Sequence, residues 1–179
     1  MLGLAMLVVA LVVAVAACGG SANPSPSALG GAAIEATPGP RATPWPSSVI
    51  DAVLALGAAD TELWKAGADI ARAADSKDVK AMWGAADGTV KLIEGLMPNV
   101  EALETYPHTQ PLGAAYRASF PVMLEGATQL RDSITAGDAQ GVVTGSQRLA
   151  EGVSLYANVR SMLDGYVKEA MSMKKTLVK

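Results

Sequence analysis

Apolar and polar residues recur with a helical period from about residue 48 to the end of the chain. Apolar side chains stand three and four positions apart, which is the pattern of a helix that buries one face. Turn and capping residues interrupt this pattern at Asp75-Ser76, in the segment before Thr109 and at Gly137-Asp138. The pattern predicts four helices, over about 48–74, 77–105, 109–136 and 139–174.

The apolar positions of each helix define the residues that we expect in the core. Asp60 falls on the apolar face of the first helix, and if buried it would need a basic partner, an arginine such as Arg72 or a lysine. The predicted core residues are Val49, Val53, Leu56, Leu63 and Ile70 in the first helix, Val79, Trp83, Ala86, Val90, Ile93, Met97 and Val100 in the second, Leu112, Tyr116, Met123, Leu130 and Ile134 in the third, and Val142, Leu149, Val153, Tyr156, Leu163, Val167 and Ala170 in the fourth.

Short connections determine how these helices pack. Only two to five residues separate consecutive helices, so neighbours must run antiparallel. No β-branched run alternates with polar residues between turn signals, as a strand would. The predicted fold class is therefore all-α, an antiparallel up-down-up-down four-helix bundle over 48–179.

Glycine and proline modify this picture. Eleven glycines lie within the predicted helices, and each costs about 0.5–1 kcal/mol relative to alanine. We expect some of them to let helices approach closely through small-residue faces. Pro98 and Pro121 are expected to kink the second and third helices. A kinked bundle can leave room for an internal ligand cavity, and an effect on shape alone is the alternative.

The first seventeen residues are apolar and uncharged, and Cys18-Gly19-Gly20-Ser21 follows them. The sequence Val15-Ala16-Ala17-Cys18 resembles the lipobox of bacterial lipoproteins, and its cysteine is the single cysteine of the chain. The resemblance implies that 1–17 is a lipoprotein signal peptide and that acyl chains such as palmitate on Cys18 anchor the protein in a membrane. The Lys or Arg that usually precedes the apolar segment is absent. An uncleaved N-terminal membrane anchor with an incidental cysteine is the alternative.

Residues 18–47 have the composition of a disordered tether. Six of the ten prolines and five glycines lie here, with no apolar period, which is typical of mixed polyproline and coil segments. We expect Trp45 to pack on the base of the bundle where the tether ends, and a ligand contact is the alternative. With either form of the N-terminus, the bundle is expected outside the cytoplasm, attached to the cell membrane or the outer membrane.

Composition excludes several classes of function. Half of the residues are hydrophobic and the formal net charge is −3, so the chain fits neither disorder nor nucleic-acid binding. One cysteine and one histidine exclude an intrachain disulfide, a zinc–thiolate cluster and a multi-histidine metal site. No phosphate-binding loop, nucleophile elbow, H-E-x-x-H motif or dinucleotide fingerprint is present. We therefore expect no enzyme activity and no cofactor.

A copper or haem carrier is the alternative function. His108, in the connection before the third helix, could join a methionine as an axial haem ligand within a bundle. Met171 and Met173 offer two thioethers, the ligand type that binds Cu(I). Their sulfurs point to opposite sides of a helix, and methionine is far more common as core filler. His108, Met171 and Met173 are thus the candidate metal ligands.

Charge is distributed unevenly along the helices. Residues 48–158 hold fourteen acidic and eight basic residues, whereas 159–179 hold two acidic and five basic ones. The basic end would complement the dipole of the fourth helix, or contact anionic lipid or wall polymer. The function expected from the sequence is a lipid-anchored extracytoplasmic binding or interaction module. Its partners would be the membrane and an envelope protein, an envelope polymer or a small apolar ligand that the sequence does not identify.

Overall fold

The computed structural model describes residues 44–177 and places four α-helices in them. No strand occurs within this range. The all-α prediction is confirmed, and each predicted boundary lies within three residues of the observed one. The helices are α1 (Ser47–Asp75), α2 (Val79–Glu104), α3 (Gln110–Ala136) and α4 (Ala139–Leu177).

The first helix begins directly after a buried tryptophan. Trp45 is only 4% exposed and belongs to the hydrophobic core, which confirms that it packs on the bundle. The predicted signal peptide, Cys18 and the linker as far as residue 43 lie outside the described residues. None of the four described helices is long and apolar enough to span a bilayer.

Two left-handed turns end α1 and α3 in the same way. At the end of α3, Gly137 has a φ of 70°, and the N–H of the next residue donates to the carbonyl of Ser133 over 2.9 Å. At the end of α1, Lys77 has a φ of 57°, and the following N–H donates to the carbonyl of Ala73 over 2.9 Å. This is the Schellman arrangement, which glycine adopts without strain and lysine does not. The glycine stop was predicted from the sequence, whereas the left-handed lysine was not.

Side-chain pairs between α1 and α4 show that these helices are antiparallel. Asp51, near the start of α1, pairs with Lys174 near the end of α4. Asp60, two to three turns later in α1, pairs with Arg160, which comes earlier in α4. Each helix contacts its neighbours along the chain, and α4 also contacts α1. The described helices therefore form a ring of four in which α1 and α4 run antiparallel.

Glycines bring α3 and α4 together along the most extensive interface of the bundle. A Cβ added at Gly152 would lie 2.6 Å from the backbone nitrogen of Met123, and one at Gly126 would overlap the backbone of Leu149. Gly145 is enclosed by backbone atoms in the same way. Only glycine permits this separation of the two helix axes, which confirms the predicted close approach through small residues.

Most of the predicted core residues are buried, and the clearest exceptions lie in the first turns of α2. Val79 is 55% exposed and Trp83 is 39% exposed. The indole N–H of Trp83 donates to Oγ1 of Thr135 on α3 over 3.2 Å, which holds the ring on the outside of the bundle. Pro98 and Pro121 lie inside α2 and α3, and both helices continue through them.

Candidate functional site

A carboxylate from α1 meets two side chains of α4 about halfway along α1. The hydroxyl of Tyr156 donates to Oδ1 of Asp60 over 3.0 Å, and Nε of Arg160 lies 3.0 and 3.1 Å from the two carboxylate oxygens. The Asp60 side chain is 19% exposed. The predicted need for a basic partner is confirmed, and Arg160 is that partner. Arg72 pairs with Asp69 instead.

The guanidinium group of Arg160 is held on two sides. Its central carbon lies 4.7 Å from the centroid of the Trp64 ring, within the range of a cation–π interaction. Its Nε donates to Asp60, but no hydrogen bond within residues 44–177 uses its terminal Nη atoms. The orientation of Arg160 is thus restrained while two amino groups stay available to another molecule.

A second tyrosine hydroxyl lies behind Tyr156 in the core. Tyr116 is fully buried, and its hydroxyl has no hydrogen-bond partner in the described part of the chain. The centroids of the two tyrosine rings lie 6.1 Å apart. Burial raises the pKa of Tyr116, and burial together with the nearby Tyr116 and Asp60 raises that of Tyr156. Polar groups therefore extend from the core of the bundle to the Asp60 carboxylate.

A cleft of about 160 Å³ opens beside this cluster, between α1 and α4. A Cβ at Gly57 would lie 2.6 Å from a methyl group of Val167, so this glycine allows the two helices to pack closely at the cleft. Neither Pro98 nor Pro121 lines it, so this cleft is not the cavity expected from the helix kinks. The lining residues are Gly57, Asp60, Arg160, Leu163, Asp164 and Val167.

Asp164 supplies a second carboxylate to the cleft. Its side chain is exposed and has no ion pair or hydrogen bond within the described helices. Arg160 lies one turn away on the same helix face, at a spacing that often forms a pair, yet it pairs with Asp60 across the interface. Asp60, Arg160 and Asp164 therefore all line the cleft, and Asp164 is the one of the three without a partner among the described residues.

His108 lies at the end of the bundle where α1 begins. Its Nε2 is 3.2 Å from Oε2 of Glu169, and its backbone carbonyl accepts a hydrogen bond from the hydroxyl of Tyr166 over 3.1 Å. The imidazole ring packs with its centroid 5.4 Å from that of Trp45. The predicted position of His108 in the connection between α2 and α3 is confirmed.

The structure gives the other candidate metal ligands separate environments. Met171 is 51% exposed, whereas Met173 is partly buried against the hydrophobic core. In the segment from 44 to 177, no group of three or more His, Cys, Asp or Glu side chains is placed to hold a metal ion. Cys18, the predicted lipidation site, lies outside the described residues.

The apolar pattern drew attention to Asp60 on the buried face of α1, but not to the α4 residues around it. Arg160 and Asp164 carry a signal that could have been used, because Arg160 lies four residues after the core residue Tyr156 and Asp164 lies four residues after Arg160. That spacing places both charges beside the buried face of α4. It does not reveal which residue of α1 lies opposite.

No protein family matches the chain, and no characterised protein or solved structure is significantly similar to it.

Proposed function

We propose that the protein is a lipid-anchored extracytoplasmic binding module without enzyme activity, whose ligand occupies the cleft between α1 and α4. The observation that carries this proposal is the pair formed by Asp60 and Arg160, which leaves the arginine restrained but still able to bind. The Arg160 side chain is 39% exposed in this pair, so its guanidinium group stays accessible although Asp60 is partly buried. A small number of placed polar groups fixes the orientation of a small molecule in its site, and this cleft is lined by three charged side chains.

The resemblance of Val15-Ala16-Ala17-Cys18 to a lipobox supports the anchor. The start of the bundle is consistent with it, because Trp45 is the first core residue and lies well after Cys18 in the sequence. Residues 18–44 would connect the acylated cysteine to the folded domain. Acyl chains on Cys18 would hold the protein in the cell membrane or the outer membrane, with the bundle facing away from the cytoplasm.

Metabolic labelling with alkyne palmitate tests the anchor. We expect the protein to carry the label and to enter the detergent phase on phase partition. The Cys18→Ser variant should be unlabelled, and because no other cysteine is present no second thiol can take its place. A variant that is still labelled, or an unlabelled wild-type protein that stays in the membrane, would reject the lipid anchor. The second result would favour the uncleaved apolar segment.

Ligand-observed NMR with the full chain in detergent micelles tests the cleft. The compounds are small cations, anions, zwitterions and neutral molecules, and the blocking variant is Asp164→Trp, at an exposed cleft position. Glu94→Trp is the matched control, at an exposed position on α2 without an ion pair among the described residues. We expect at least one compound to bind the wild type and the control but not the blocking variant. If no compound shows this difference, the proposed function is wrong.

A further inference from the structure

Given the proposed function of the α1–α4 cleft, on which this inference rests, we propose that its ligand is a small zwitterion, a free amino acid with an aliphatic side chain. Its carboxylate would accept hydrogen bonds from the Nη atoms of Arg160. Its ammonium group would meet the carboxylate of Asp164. Its side chain would pack against Val167.

The carboxylate of the ligand is recognised by a restrained arginine. A guanidinium group presents its N–H donors in a planar fork that matches the two oxygens of a carboxylate. In this structure Asp60 holds Nε of Arg160, and Trp64 lies against the guanidinium plane. Both contacts leave the Nη atoms unused within the described helices. Because the arginine is already ordered, binding costs less side-chain entropy than it would with a free surface arginine.

The ammonium group of the ligand is recognised by Asp164. This carboxylate lines the cleft and has no partner within the described residues, although Arg160 lies only one turn away. The cleft thus holds one guanidinium group and two carboxylates, of which Asp60 pairs with Arg160 and Asp164 does not. A simple anion would leave Asp164 unpaired, and a simple cation would leave the Nη donors unused. A molecule with both charges a few bonds apart satisfies both.

The dimensions of the cleft limit the ligand to a small molecule. Its volume of about 160 Å³ lies below the range of about 300–1,000 Å³ that is typical of drug-sized ligands. A cavity of about 150 Å³ accommodates benzene, so the cleft suits a compound of similar size. Val167 is partly buried and gives the cleft its apolar surface, because Leu163, at 3% exposed, contributes little. An aliphatic side chain of the size of those of alanine or valine matches both the volume and this surface.

Calorimetry with three matched compounds tests the inference, with the full chain in detergent micelles. Valine carries both charges, isobutylamine lacks the carboxylate and isovalerate lacks the ammonium group. We expect valine to bind about tenfold or more tightly than either of the other two. The variant Asp164→Asn should weaken valine binding by about tenfold, and Glu94→Gln should leave it unchanged. Circular dichroism establishes that each variant is folded.

The outcomes separate this inference from the proposed function. If isobutylamine or isovalerate binds as tightly as valine and Asp164→Trp abolishes its binding, the cleft is a binding site but not one for zwitterions. If valine binds equally to the wild type and Asp164→Asn, or does not bind, the inference is wrong. If no compound of any charge class binds in the NMR experiment, the proposed function is wrong as well.

Discussion

The hydroxyl of Tyr156 on α4 donates a hydrogen bond to the Asp60 carboxylate on α1, and the two oxygens lie 3.0 Å apart. This bond joins residues that are 96 positions apart in the sequence. It places a buried phenol against a carboxylate that also faces the cleft. The neighbouring hydroxyl of Tyr116 has no such partner among the described residues. These two tyrosines therefore differ in what their hydroxyls contribute to stability.

Removal of the Tyr156 hydroxyl and removal of the Tyr116 hydroxyl should affect the free energy of unfolding differently. The variant Tyr156→Phe deprives Asp60 of a donor and should lower the free energy of unfolding by about 1–2 kcal/mol, because hydrogen bonds to charged groups are stronger than average. The variant Tyr116→Phe removes an unsatisfied buried hydroxyl and should be neutral or stabilising by up to about 1 kcal/mol. Urea unfolding of both variants measures the difference. A Tyr116→Phe variant as unstable as Tyr156→Phe would mean that Tyr116 has a partner in solution.

Stability should decrease at alkaline pH through the same two tyrosines. Burial raises the pKa of both above the value of about 10 of an exposed tyrosine. Above about pH 10 the unfolded chain loses protons that the folded chain retains. Their contribution to stability is thus complete below that pH and falls above it, by about 1.4 kcal/mol per pH unit for each tyrosine.

Urea unfolding between about pH 8 and about pH 11 tests this dependence. The slope of stability against pH should become less steep in Tyr116→Phe, because one of the two titrating groups is gone. An equal slope in the wild type and the variant would show that Tyr116 ionises in the folded state as easily as in the unfolded one.

Glycines of the bundle should respond to alanine according to their surroundings. Gly152→Ala places a Cβ against the backbone of Met123 and should cost about 1–3 kcal/mol, because α3 and α4 must move apart. Gly84→Ala and Gly88→Ala place a Cβ in open space on α2 and should stabilise the protein by about 0.5–1 kcal/mol each. Thermal unfolding of the three variants compares them directly. Similar melting temperatures for all three would contradict the close helix contact.

The two left-handed helix ends offer a reciprocal test. Lys77→Gly relieves a positive φ and should raise the free energy of unfolding by about 1 kcal/mol. Gly137→Ala introduces a Cβ at the equivalent position of α3 and should lower it by about the same amount. Urea unfolding measures both changes. A destabilised Lys77→Gly variant would indicate that the lysine side chain makes a compensating contact.

Local signals in the sequence determined the helices and most of their ends. The three-four spacing of apolar residues depends only on the geometry of a single helix, so α1 to α4 could be placed within three residues. Gly137 marks the end of α3 because glycine alone tolerates its backbone conformation freely. Trp45 was expected in the core because a large apolar ring next to a helix start has nearby surface to cover. Short connections then predicted the antiparallel order of neighbouring helices.

Only the tertiary structure decided which residues meet across the helices. Periodicity assigns Asp60 and Arg160 to the faces of their own helices, but the sliding offset between α1 and α4 is set by the packing of many side chains along the interface. The approach of Gly57 to Val167 is one of these contacts, and it has no trace in the local pattern. Periodicity also predicted Trp83 in the core. In the structure a hydrogen bond to Thr135 on another helix holds it outside, and this contact likewise has no trace in the local pattern.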